Sequence, residues 1–111
     1  MSQAKEKLER INTRLVSLFK AERQTMTAFK SLSDSAARPG TLSPAIKELT
    51  AMAIAVATKC DDCVVYHTAA AKKHGATRDE FCEMLAVAVE MAGGPGAVYA
   101  SKALQAFDEL G

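Results

Sequence analysis

Residues 47–74 read KELTAMAIAVATKCDDCVVYHTAAAKKH, and this stretch decides the fold. Its first half is largely apolar but contains Glu48, and its second half contains a Cys-x-x-Cys pair, Cys60 and Cys63. His67 follows Cys63 at a spacing of four residues. If the segment after Cys60 is helical, residues three and four apart lie on one face, so both thiols and the imidazole share one patch. This pattern is typical of a dithiol redox site.

The first half of the stretch belongs to a predicted helix that runs from Pro44 to about Thr58. Ser43 is a good N-cap residue, and Pro44 suits the first helical position. Both sides of the helix are apolar: Ile46, Leu49, Met52, Ala53, Val56 and Ala57 lie on one, and Ala51, Ile54 and Ala55 on the other. Such a helix is buried, so we expect other helices or subunits to cover it, and Glu48 to be at least partly buried.

The second half predicts a helix that begins near Cys60 to Asp62 and ends at Gly75, a plausible C-cap. Asp61 and Asp62 suit the positive end of the helix dipole. His74, in the last turn, is expected on the surface for the same electrostatic reason. Tyr66 packs either beside the cysteines or against a neighbouring subunit, and the sequence leaves both open.

Two further helices are predicted after Gly75. Thr77 and Glu80 form a capping box that opens the first of them. The segment Gly93-Gly94-Pro95-Gly96 ends it, and a final helix is expected from about Ala97 to Leu110. The expected buried residues are Phe81, Met84, Leu85, Ala88 and Ala92 in the first, and Val98, Ala103, Leu104 and Phe107 in the second.

The N-terminal part of the chain, residues 2–38, contains no glycine or proline. Its apolar residues Leu8, Ile11, Leu15, Leu18, Phe29 and Leu32 fall largely on a three-four spacing. This predicts one long helix or two helices that meet near Ala21 to Arg23, and we favour two. No strand pattern competes anywhere, so the fold class is all-α, with five to six helices. We expect a single domain over residues 1–111, with an N-terminal helical extension (about 1–38) and a core (about 39–110).

Composition narrows the classes of function. A chain of 111 residues with 49% apolar but only 5% aromatic residues builds its core from small aliphatic side chains, and oligomerisation is a reasonable way to complete it. The net charge of +1, with dispersed basic residues, argues against nucleic acid and anionic membrane surfaces as partners. The charged N-terminus lacks a signal-peptide core, and no uninterrupted apolar run reaches about 18 residues. We therefore expect a cytoplasmic protein with thiol cysteines and no membrane span.

The residue types in the central stretch support redox chemistry. A cysteine at the start of a helix has its thiolate stabilised by exposed N–H groups, which lowers its pKa. A second cysteine one turn on can convert a sulfenic acid into a disulfide. His67 can accept a proton and Glu48 can orient it.

Zinc is the main alternative from the residues alone, because Cys60, Cys63, His67 and Glu48 are four possible ligands. Structural zinc prefers sulfur and nitrogen, however, and the sequence has no second Cys/His pair. We therefore predict no metal and no cofactor. Cys82 has no Cys or His close in sequence and is expected to be a small core residue.

The spacing resembles a known family. The residues that carry the resemblance are Glu48, Cys60-Asp61-Asp62-Cys63, His67, Lys73-His74-Gly75-Ala76-Thr77, Glu80 and Gly93-Gly94-Pro95. Over roughly Pro39 to Leu110 the chain is similar to the carboxymuconolactone decarboxylase / alkyl hydroperoxidase D-like (AhpD-like) superfamily, in its Cys-x-x-Cys branch. The resemblance implies an all-helical fold that assembles as a homotrimer or homohexamer.

The resemblance also implies a function. It implies a dithiol-dependent alkyl hydroperoxidase that uses Glu48, Cys60, Cys63 and His67 as catalytic residues, a hydroperoxide as substrate, and an external dithiol or thiol protein as reductant. The decarboxylase branch typically lacks the cysteine pair, so decarboxylation is not expected. The alternatives are thiol–disulfide exchange, redox sensing, or a non-catalytic metal-binding role.

One position departs from the family pattern. The best-known peroxidase members have a second His immediately before the second Cys, where this chain has Asp62. An acid beside a thiolate raises its pKa, whereas an imidazolium lowers it. Either His67 alone suffices, or the peroxidase activity is weaker, or the site serves disulfide exchange.

Overall fold

The computed structural model describes residues 2–111, which form five helices and, within that range, no strand. The prediction of an all-α fold is therefore confirmed. Side-chain caps begin four of the helices: Ser2, Ser43, Cys60 and Thr77 each accept an N–H of the first turn, and Thr77 belongs to the predicted capping box. The helices are α1 (Gln3–Ala21), α2 (Arg23–Ala37), α3 (Pro44–Ala57), α4 (Asp61–Lys73) and α5 (Arg78–Glu109).

The N-terminal segment is two helices, as favoured from the sequence. The break lies at Glu22, whose φ of −129° and ψ of 60° leave the helical region. The three-four spacing of apolar residues is interrupted by polar residues at the same place, so the hydrophobic period predicts the break correctly. α1 packs on α4 and α5, whereas α2 contacts only α1 and α3.

The C-terminal half differs from the prediction in one respect. Gly93, with φ 72° and ψ −153°, is the one non-helical residue in α5, and the chain is helical again from Gly94. The expected restart near Ala97 is therefore wrong by about three residues. Pro95 lies in the first turn after the break, where its missing N–H removes no hydrogen bond. Gly96 is buried, and a Cβ atom there would approach the Cβ of Ala92 to 2.5 Å.

The core lies where α3 packs against α4 and α5. Met52, Val56, Val64 and Phe81 are fully buried, and the ring of Phe81 packs at a tilt against Phe107 with centroids 4.7 Å apart. A smaller cluster attaches α1 to this core through Ala4, Ile11, Val65 and Ala106. Both clusters hold α4, which carries the cysteines, in a fixed position.

By length and mean hydropathy alone, α5 could cross a membrane. Gly93 interrupts it, however, and Phe81, Leu85 and Ala103 from its two parts are buried against α3 and α4. Part of α5 therefore packs into the core, and the absence of a membrane span stays a prediction.

Several residues expected in the core lie on the surface of the single chain. Val98 is exposed, and so are Ile46 and Ile54 on opposite sides of α3. On the N-terminal helices only Ile11 of the predicted stripe is buried, while Leu15, Leu18, Phe29 and Leu32 are exposed. Amphipathic periodicity identifies which face is apolar, but one chain of this size does not cover every apolar face.

Candidate functional site

The cysteine pair lies at the start of α4. Cys60 is the N-cap, and its Sγ accepts the backbone N–H of Cys63 at 3.3 Å. The two cysteines are joined in a disulfide, with Cα atoms 5.2 Å apart. Lys59, just before the helix, has a φ of 58° and turns the chain from α3 into α4. The pair is thus placed at the positive end of the helix, where backbone donors stabilise negative charge on sulfur.

Glu48 on α3 and His67 on α4 form a contact across the helix–helix interface. Glu48 Oε2 lies 3.0 Å from His67 Nδ1, and the carboxylate is only 15% exposed. An ionised carboxylate can only accept a hydrogen bond, so Nδ1 donates to it, and in the neutral imidazole Nε2 is then the nitrogen that can accept a proton. The expected burial of Glu48 and its pairing with His67 are confirmed. The catalytic roles of both stay predictions.

An open cavity of about 450 Å³ exposes Cys63 and His67 together. Its remaining wall comes largely from the N-terminal helices and is mainly apolar. The residues that complete it are Ile11, Arg14, Leu15, Leu18, Phe29, Ser33, Asp62 and Tyr66. Cys60 does not line this cavity, so Cys63 is the sulfur that a molecule in the cavity would meet.

The two acids between the cysteines are held by basic residues that the sequence analysis missed. Lys7 hydrogen-bonds Asp61, Arg14 Nη2 lies 2.6 Å from Asp62 Oδ2, and Lys102 Nζ lies 3.2 Å from Asp61 Oδ1. The Lys7 hydrogen bond is the main cause that holds the pKa of Asp61 below its ordinary value; partial burial opposes it and Lys102 adds to it. The available signal was the spacing of Lys7 and Arg14, seven residues or two turns apart on one face of α1.

The sequence model of the carboxymuconolactone decarboxylase family matches residues 23–106. The chain belongs to this family. A crystal structure of an apo carboxymuconolactone decarboxylase family protein from Legionella pneumophila superposes with a TM-score of 0.95 at 40% identity, covering 99% of this chain and 98% of that one.

Three further proteins are similar to the chain. An uncharacterized protein from Cupriavidus necator is 48% identical over 106 residues, 96% of this chain and 94% of its own. The uncharacterized protein 4 in the cox locus of Paracoccus denitrificans is 37% identical over 83 residues, 75% of each chain. A Thermotoga maritima structure matches with a TM-score of 0.83 at 25% identity, covering 95% of this chain and 93% of its own.

Family membership and the AhpD-like fold fit a redox function of the cysteine pair, and the family includes enzymes. α1 lies outside the residues matched by the family model, yet it supplies Lys7 and Arg14 to the site. The long-range contacts of α1 therefore could not be predicted from the family motif.

Three other residues considered in the sequence, Tyr66, His74 and Cys82, lie outside the group formed by the cysteine pair, Glu48 and His67. Tyr66 lies edge-on to His67, with ring centroids 5.4 Å apart, and lines the cavity. His74 is the exposed C-cap of α4, as expected. Cys82 is a free thiol and only half-buried, so its prediction as a core residue is wrong. It lies in the first turns of α5 and follows buried Phe81 in the sequence.

The alternative of a zinc site requires several ligand side chains placed around one point. Between Ser2 and Gly111 no group of three or more His, Cys, Asp or Glu side chains is arranged to hold a metal ion. The two sulfurs are bonded to each other instead.

Proposed function

We propose that this protein is a dithiol-dependent peroxidase that reduces organic hydroperoxides. The observation that carries the proposal is the Cys60–Cys63 disulfide beside the Glu48–His67 pair, with Cys63 and His67 opening into one largely apolar cavity. A dithiol pair, a positioned base and an apolar approach are the parts that such a reaction requires.

The proposed cycle consumes one hydroperoxide and one external dithiol. The Cys63 thiolate attacks the terminal oxygen of ROOH, the O–O bond breaks, and the sulfur becomes a sulfenic acid while RO⁻ takes up a proton and leaves as ROH. The Cys60 thiol then condenses with the sulfenic acid, forming the disulfide and releasing water. An external dithiol or thiol protein reduces the disulfide by thiol–disulfide exchange and becomes oxidised itself.

Each residue in this proposal has a separate role. Cys63 is the attacking sulfur because it lines the cavity with His67, and Cys60 is the resolving sulfur because it does not. His67 Nε2 accepts the thiol proton and can return it to the departing alkoxide. Glu48 fixes the imidazole by accepting from Nδ1 and stabilises its positive charge.

The test starts from reduced protein carrying Cys82→Ala, which removes the third thiol of the chain. One equivalent of cumene hydroperoxide should produce a Cys60–Cys63 disulfide by mass spectrometry. In a further Cys60→Ser variant, a sulfenic acid should persist on Cys63 and react with dimedone, whereas Cys63→Ser should give no such adduct on Cys60. Free thiols that stay unchanged, with no turnover under any dithiol reductant, would exclude the peroxidase.

Thiol–disulfide exchange is the second candidate, because Asp62 precedes Cys63 where the best-known peroxidase members of the family have an imidazole. This departure from the peroxidase pattern leaves room for a dithiol that exchanges with another disulfide instead of reacting with a peroxide. Reduction of a mixed-disulfide substrate without consumption of hydroperoxide would support exchange. Metal analysis of protein purified without added metal covers the binding alternative: stoichiometric zinc that blocks thiol titration would replace both redox proposals.

A further inference from the structure

We infer that Lys7, Arg14 and Lys102 compensate the negative charge of the two aspartates between the cysteines. Arg14 in particular offsets the carboxylate of Asp62 and so favours the thiolate form of Cys63. This inference concerns the same dithiol as the proposed peroxidase and rests on that site being reactive. It assigns a role to α1, the helix that the family model does not cover.

The contacts show that both acids are paired from outside their own helix. Lys7 contacts Asp61 and also lies 3.9 Å from Asp62, while Arg14 contacts Asp62 at 2.6 Å. Lys102 of α5 lies 3.2 Å from the other carboxylate oxygen of Asp61. α1 thus contributes two cations and α5 contributes one, so three positive charges face two negative ones.

The reason for such pairing is electrostatic. A carboxylate beside a sulfur disfavours the thiolate, and a cation beside that carboxylate offsets the effect. Asp62 is the residue directly before Cys63, and its described charge partners are Arg14 and Lys7. Other charged or titratable groups near the pair are His67 and Tyr66 on α4, which line the same cavity as Cys63, together with Glu48 on α3, Lys59 in the preceding turn and Lys102 on α5.

Ion pairs that only attach α1 to α4 would give a different experimental result from ion pairs that compensate charge. The same ion pairs also attach α1 to the start of α4, alongside the apolar contacts of Ile11 and Ala4. If attachment were their only role, removing either partner of an ion pair would have the same effect. If charge compensation is their role, removing Arg14 and removing Asp62 have opposite effects on the thiol.

The experiment therefore measures one thiol directly, without peroxide. In a chain with Cys60→Ser and Cys82→Ala, Cys63 is the only cysteine, and serine is a good N-cap in place of Cys60. The rate of iodoacetamide alkylation against pH gives the midpoint of thiolate formation. Arg14→Gln should raise this midpoint by about half a pH unit, and Asp62→Asn should lower it by a similar amount, the scale of one largely solvated unit charge.

The double variant decides between the two roles. Arg14→Gln with Asp62→Asn removes one charge of each sign, so the midpoint should return close to that of the parent. The Arg14→Gln shift should also shrink at high ionic strength. Lys30→Gln is the matched control, because Lys30 is an exposed cation paired with Asp34 on α2, and its loss should leave the midpoint unchanged.

Two results would overturn the inference: single variants that shift the midpoint in the same direction, or a midpoint that neither variant moves while circular dichroism shows the helices intact. Asp62→Asn keeps the inference testable if Arg14→Gln folds poorly. Since no hydroperoxide is present, this result is separate from the disulfide test. Opposite shifts with no peroxide turnover would uphold the charge compensation and reject the peroxidase.

Discussion

Glu48 is a partly buried carboxylate whose described hydrogen-bond partner is His67. We predict that Glu48→Gln preserves the fold, because an amide fills the same space and can still bond the imidazole. The neutral side chain no longer stabilises positive charge on the ring, so oxidation of the dithiol should slow by roughly 10²-fold, the lower range for general acid–base catalysis. The measurement is the stopped-flow rate of disulfide formation with cumene hydroperoxide across pH.

A matched control is Glu83→Gln, which removes the same charge from an exposed position on α5 and should leave the rate unchanged. The pH dependence of the oxidation rate should also change in Glu48→Gln, since the uncharged amide no longer stabilises a proton on the imidazole. Wild-type rates across the whole pH range would remove Glu48 from the mechanism.

At the scale of residues, the sequence predicts contacts that follow from helical spacing. Cys60, Cys63 and His67 lie within two turns of one helix, so their common face could be expected before the structure. Arg14 and Asp62 are 48 residues apart, and their contact depends on how α1 packs on α4. Such a contact has no local signature, which is why the charge compensation of the site could only be recognised in three dimensions.

Among the elements, the break in α5 depends on a single glycine. Gly93 has φ 72° and ψ −153°, a region that side-chain-bearing residues occupy at a cost of about 1–3 kcal/mol. We predict that Gly93→Ala lowers the free energy of unfolding by this amount, although a Cβ atom there would touch nothing within 4 Å. The effect is therefore one of the backbone alone, and urea unfolding followed by circular dichroism measures it.

Gly94→Ala is the matched control one residue along. Gly94 is helical and also has free space around it, so alanine there should leave stability unchanged or raise it by about 0.5–1 kcal/mol. Equal effects of the two substitutions would show that the break at Gly93 does not require a positive φ. The sequence predicts a break in this segment from Gly93-Gly94-Pro95-Gly96, but not its position. Proline is compatible with both the end and the first turn of a helix.

For the whole molecule, the chain leaves large apolar side chains without cover. Ile54 on α3 is 58% exposed and Met91 on α5 is 77% exposed, while α1 and α2 expose Leu18 and Phe29. The sequence predicted that α3 would be covered on several sides, and the single chain covers only some of them. The hydrophobic pattern reports all apolar faces together, and it does not distinguish those buried within a subunit from those buried between subunits.

We predict that these faces associate in a closed homo-oligomer, because contiguous exposed apolar surface marks an interface and symmetric assemblies are the usual way to bury it. Sedimentation at micromolar concentration should give three or six times the 11.8 kDa of one chain. Ile54→Glu or Met91→Glu should lower the mass while circular dichroism stays helical, since an unpaired charge in an apolar interface is costly.

Ser31→Glu adds the same charge at an exposed polar position of α2 and should leave the mass unchanged. The cavity beside Cys63 and His67 is open in the single chain, and Leu18 and Phe29 form part of its wall. If a neighbouring subunit covers these residues, it also shapes the approach of the hydroperoxide. Dithiol oxidation by cumene hydroperoxide should then slow together with the loss of assembly in Met91→Glu, although this substitution touches no residue of the site. A stable monomer that retains full activity would contradict both the assembly and the contribution of a second subunit to the cavity.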